Sequence, residues 1–197
     1  MPMPGMNYGW NGNSTDLTRR AGAGSYQLAD GSWHQADKLV FDGEQLVVKE
    51  GPSGRQRLTA ETLRRLEVNR DTFLLVESLP GRAVPTGKAE FVHSCVNRQG
   101  LRLLAKYYNQ SEVAYFLSRS GQPLRLLPRN KNTFRETMAA LVADYPALAA
   151  RVLDGRLGPN ETVRIIQDYA DFRRSAAAVA PAAVSPPPPG AAAPPAP

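Results

Sequence analysis

The chain has 197 residues, with 24 Lys and Arg against 18 Asp and Glu, two His, one Cys and 42% hydrophobic residues. That length suits one ordinary domain able to bury a core. One Cys excludes an intramolecular disulfide framework, two His with one Cys cannot supply a zinc site alone, and no apolar run is long enough to span a membrane as a helix.

Residues 1–24 are rich in Gly, Asn, Pro and Met and show no hydrophobic period. They are expected to form a disordered head. They also lack a charged segment followed by the apolar run of a secretory signal. A cytoplasmic location is therefore the default, and an exported protein the alternative if the true start lies upstream.

The expected folded part is residues 25–174. Over 25–128 it reads as short apolar runs broken by turn dipeptides. Leu28 leads to Asp30-Gly31, and Leu39-Val40-Phe41 leads through Asp42-Gly43 to Leu46-Val47-Val48. Asp-Gly between apolar runs is a strong hairpin signal, because a type I′ turn needs positive φ at both central residues. Gly51-Pro52-Ser53-Gly54 reads as a longer loop, and Thr59 to Arg65 is ambiguous, a single helical turn interrupting the strands being the reading it allows. Leu66 and Val68, then Phe73 and Leu75, flank Asn69-Arg70-Asp71 as a further hairpin, and 81–87 reads as a loop. Glu90–Val96, Leu101–Tyr108, Val113–Arg119 and Leu124–Leu127 follow. The connections are too short for parallel crossovers, so an antiparallel meander or roll is expected.

From Thr133 the period becomes helical. Thr133-Phe134-Arg135-Glu136 has the form of a capping box, and Phe134, Met138, Leu141 and Val142 make one apolar stripe. Pro146 ends that helix and opens a second, closed by Asp154-Gly155. Pro159 starts a third, expected to reach about Arg174. The fold class is α+β, with strands at 25–128 and three helices at 133–174. The segment Phe134-x-x-x-Met138-x-x-Leu141-x-x-Asp144-Tyr145-Pro146-x-Leu148, with a helix ending near Tyr169, resembles the tail of a group of uncharacterised bacterial proteins. The resemblance covers roughly 90–172 and implies the β-then-α order, with no activity. Many members of that group carry an export signal, which 1–24 do not show.

The last 23 residues, 175–197, hold ten Ala, eight Pro and no charge. Such a segment cannot offset its ordering entropy, and it is expected to be a disordered tail with a polyproline run at Pro186–Pro189.

No phosphate-binding glycine loop and no Gly-x-Ser-x-Gly elbow is present, and Gly22-Ala23-Gly24 reads as a turn. His93 and Cys95, two apart in a strand, share a face and have the residue types of a nucleophile–base pair. No third group for orienting the imidazole is evident near them, and a buried Cys more often behaves as a small hydrophobe. His34, Asp37, Asp42, Glu44 and Glu50 flank turns, as solvated residues do. No cofactor, metal or catalytic residue is expected.

The positive charge is concentrated. Arg98, Arg102, Lys106, Arg119, Arg125, Arg129, Lys131 and Arg135 face Glu112 alone, so 98–135 carries +7 and the rest of the chain −1 of the total +6. The strand 101–108 alternates, with Arg102, Lys106 and Tyr108 on one face. Bases interleaved with tyrosine are how sheets hold single-stranded nucleic acid. Only five of the 24 bases are Lys, which points to a coding bias toward Arg, and edge strands carry bases to discourage association. The expectation is a non-enzymatic structural or protein-interaction domain with an unidentified protein partner. The alternative is binding of a polyanion or single-stranded nucleic acid through Arg98, Arg102, Lys106, Tyr108, Arg119, Arg125, Arg129 and Lys131.

Overall fold

A computed structural model describes residues 18–50, 54–81, 89–108 and 112–179. Ten strands form one antiparallel sheet: β1 Arg20–Leu28, β2 Trp33–Phe41, β3 Leu46–Glu50, β4 Gly54–Leu58, β5 Leu63–Val68, β6 Asp71–Val76, β7 Glu90–Arg98, β8 Leu101–Tyr107, β9 Val113–Arg119 and β10 Arg125–Leu126. Three helices follow: α1 Lys131–Leu141, α2 Pro146–Leu153 and α3 Thr162–Val179, the last preceded by a single 3-10 turn, Pro159–Glu161. The α+β class and the strand-then-helix order are those the sequence predicts.

The spatial order is β10-β9-β8-β7-β6-β5-β1-β2-β3-β4. The first strand thus lies mid-sheet, with β2 to β4 laid down on one side of it and β5 to β10 on the other. This order forces curvature. In a flat sheet β4 and β5 would stand about 19 Å apart, four strand spacings. The chain crosses from Leu58 to Leu63 through one hydrogen-bonded turn, in which Leu63 N–H donates to Thr59 C=O at 3.0 Å. The sheet therefore rolls, and Tyr26, Leu39, Phe41, Leu46, Leu66 and Phe73 fill the interior of the roll. In the ambiguous 59–65 stretch a single turn does interrupt the strands, and β5 begins within it at Leu63.

Turn chemistry sets the registers. Asn69 and Arg70, both at positive φ, make the two-residue loop between β5 and β6. Gly22-Ala23-Gly24 is strand, not turn. A bulge falls between Gly22 and Gly24, and any Cβ on Gly24 would collide with the carbonyl of Glu67 on β5. Strand β4 is an addition to the sequence reading, which left 54–58 within and after a loop. The folded region also extends past its predicted limits, since β1 begins at Arg20 and α3 runs to Val179. The polyproline run and most of the expected head and tail lie outside the described residues.

A second core joins the sheet to the helices. Val96, Leu101, Leu103 and Leu117 meet Phe134, Met138, Val152, Ile166 and Tyr169. On the sheet's other side Leu79, Val92, Leu104 and Phe116 make a smaller cluster. Helix α1 starts two residues before the predicted capping box, and its cap is Asn130. The Asn130 side chain accepts from Asn132 N–H at 3.0 Å and Thr133 N–H at 3.3 Å. Gly155, at φ +74°, ends the segment after α2 as expected.

Candidate functional site

The predicted bases separate according to the pleat and one irregularity. Between Ser94 and Val96 the β7–β8 register slips, leaving Cys95 as the extra residue of a bulge. The slip turns Val96 and Arg98 to the helix side. Arg98 pairs there with Asp171 of α3 at 3.2 Å. Arg119 also faces the helices and donates to Tyr169 Oη at 2.7 Å and Leu141 C=O at 3.2 Å. Both are ties between sheet and helices.

Lys106 lies on the opposite face, 3.3 Å from Glu90. Arg102 is exposed on that face, and Arg125 is exposed on the edge strand β10, both without a carboxylate partner among the described residues. Tyr108 is exposed just past β8, its N–H donating to Glu112 C=O at 2.9 Å. The bases of 98–135 are thus spread over both faces and the rim of the sheet.

Three of them do come together. Arg129, Lys131 and Arg135 line a cleft of about 440 Å³ where β9, the start of α1 and the 155–162 turn meet. Its apolar wall includes Val113, Tyr115, Leu127 and Phe134. Arg129 is bound at 2.7 Å to Glu112. Lys131 and Arg135 have no carboxylate partner among the described residues. The Arg135 guanidinium lies against Gly155, where a side chain would displace it. The acid on this wall, Glu161, is engaged in accepting from Gly158 N–H at 2.8 Å.

The placement runs against helix electrostatics. Lys131 is the first residue of α1, and no acidic residue occupies that first turn. A helix N-terminus carries roughly half a positive charge, so Asp or Glu belongs there and cations are unfavourable. The first free amides are already taken by Asn130, so an anion at this end of the helix would be met by the Lys131 and Arg135 side chains.

His93 and Cys95 form a different kind of cluster, in the seam between the two cores. Cys95 Sγ is 3.5 Å from His93 Nδ1, which also lies 3.3 Å from Tyr107 Oη. His93 Nε2 stands 3.3 Å from Asp71 Oδ1, and Asp71 is tightly paired with Arg20. Contrary to the sequence reading, a third group does orient the imidazole: Asp71 of β6, brought alongside by the Phe73–His93 register. Burial holds His93 below its ordinary pKa, with Asp71 opposing and Arg20 reinforcing that shift. Burial pushes the Cys95 thiol up to about 12, and it also raises Tyr107. The space beside the ring is about 20 Å³, enough for one water. His34 is apart from this cluster, stacked on Tyr26 with ring centroids 5.1 Å apart.

Among the described residues no group of three or more His, Cys, Asp and Glu is placed to hold a metal ion, and no helix is long and apolar enough to cross a membrane. In comparisons with known proteins, the chain matches no protein family, no curated protein and no solved structure.

Proposed function

We propose that this chain is a non-enzymatic binding domain that engages its partner by an anionic group seated in the Arg129–Lys131–Arg135 cleft. The observation that carries this reading is the pair of uncommitted cations, Lys131 and Arg135, at the positive end of α1 in a concave site. A cation placed against the helix dipole and lining a concave site is a local conflict of the kind kept for binding. The cleft volume falls within the range of ordinary ligand pockets. A phosphate or carboxylate there would relieve the repulsion between the two side chains and the helix end.

The nucleic-acid reading has less to draw on. Lys106 is committed to Glu90, and Arg98 and Arg119 to the helix side, so an extended strand would meet Arg102, Arg125 and Tyr108 without a continuous basic track. The Cys95 cluster supports a non-enzymatic reading as well, because a thiol at about 12 is protonated at neutral pH and the adjoining space fits a water.

Thermal unfolding with inorganic phosphate, a compact anion that cannot add a strand to β4, tests the proposal. A specific anion at 100 times its Kd raises stability by about 2.7 kcal/mol. The Lys131→Ala/Arg135→Ala variant is expected to lose the anion-dependent rise in Tm. An equal rise in both proteins, or none in the wild type, rejects the cleft as the binding site.

A further inference from the structure

We infer a second docking surface: the free edge of β4, which accepts an extended segment of a partner protein carrying acidic side chains at two alternate positions. Among the described residues strand β4 ends the sheet order and hydrogen-bonds β3 alone. Its five residues pair with β3 without a break, from Leu46 opposite Leu58 to Glu50 opposite Gly54. The outer side is therefore a straight row of backbone donors and acceptors, with no bulge and no proline to spoil it. Gly54, Arg55, Gln56 and Arg57 are exposed, and Leu58 alone is buried.

The other edge of the sheet offers nothing comparable, since β10 has only two residues. An added strand needs several consecutive backbone pairs, so β4 is the edge that can host one.

The side chains select the occupant. Arg55 and Arg57 are two apart and share a face, neither has a carboxylate partner among the described residues, and Lys49 stands directly across from Arg55. A second copy pairing antiparallel about Gln56 would set Arg55 against Arg57 of its twin, and like charges directly opposite are destabilising. The same two charges that repel a twin attract a strand bearing Asp or Glu at positions i and i+2. This surface is separate from the cleft, where Lys131 and Arg135 act on a compact anionic group.

The test uses the full chain and a labelled ten-residue peptide of alternating Thr and Val with two Glu at i and i+2. Fluorescence anisotropy should show binding to the wild type and at least about a tenfold loss in Arg55→Glu/Arg57→Glu, two cross-strand pairs reversed in sign. A peptide with Lys in place of Glu should bind the reversed variant and not the wild type. The cleft variant Lys131→Ala/Arg135→Ala should bind the acidic peptide as the wild type does, so this surface can fail while the cleft stands, and the reverse. Amide exchange should slow at 54–58 when the peptide is bound. No binding to the wild type, or unchanged affinity on charge reversal, overturns the inference. Loss in the cleft variant instead, or concentration-dependent dimerisation of the wild type through β4, overturns it too.

Discussion

His93 Nε2 faces Asp71 Oδ1 across 3.3 Å while Nδ1 lies 3.5 Å from Cys95 Sγ, an acid–imidazole–thiol relay laid across two neighbouring strands, β6 and β7. The geometry resembles a nucleophilic site, yet the environment drives the chemistry the other way. Desolvation favours the neutral thiol and the neutral imidazole together. Cys95 should therefore react with iodoacetamide at pH 7.5 about a hundredfold slower than free cysteine, after allowing for the greater nucleophilicity of a high-pKa thiolate. A rate matching free cysteine would show that the thiol is activated and that this cluster is chemically competent.

The imidazole has a consequence for stability. Its folded pKa is depressed below the unfolded value, so the unfolded chain binds the extra proton between the two. Stability from this group is full above the ordinary histidine pKa of about 6.5 and falls as the pH drops through that value toward the folded one, by at most about 1.4 kcal/mol per pH unit. Urea unfolding between pH 7.5 and 5 should show the fall, and His93→Gln should flatten it. A wild-type profile as flat as that of the variant would mean that the Asp71 carboxylate outweighs burial.

Arg119 is the pin between sheet and helices. Its guanidinium serves both Tyr169 Oη and Leu141 C=O, and Tyr169 in turn donates to Asp144 at 3.0 Å. Tyr169 is buried completely, so its hydroxyl depends on these partners. Arg119→Met leaves two acceptors short of a charged donor and should cost about 2–3 kcal/mol. Tyr169→Phe should cost about 1 kcal/mol, and the double variant less than the sum because the two share one network. Additive losses in chemical denaturation would mean that the two groups act independently.

The sequence carries the parts of the fold that have a period or a turn signature. Phe134, Met138 and Val142 announce α1, Asp154-Gly155 closes the segment after α2, and Asn69-Arg70 places a hairpin loop. Strand β4 carries no such mark, because an edge strand exposed at Gly54, Arg55, Gln56 and Arg57 shows only Leu58 to a hydrophobic pattern. The first half of β2, Trp33 to Lys38, is hidden for the same reason. The site was partly legible. The local charge excess is in the sequence, but its division is not: a one-residue bulge at Cys95 turns Arg98 to the helices and leaves Arg129, Lys131 and Arg135 to converge. Asp71 lies 22 positions before His93, and only the β6–β7 register makes them neighbours.

The electrostatic conflict at α1 yields a prediction in which stability and binding move in opposite directions. Lys131 at the first helical position sits beside the positive end of the helix dipole, with Arg129 and Arg135 on the same cleft. Lys131→Glu replaces an unfavourable charge by a favourable one and reduces repulsion with Arg135. In the free protein it should stabilise the fold by about 0.5–1 kcal/mol, more at low salt than at high salt. The same substitution places a carboxylate where the anion would sit, so phosphate should no longer raise Tm. Lys131→Gln should fall between the two on both measurements. If Lys131→Glu destabilises the free protein, the cation is there for the fold and not for a ligand; if it stabilises and abolishes the anion effect, Lys131 is held in an unfavourable place for what it binds.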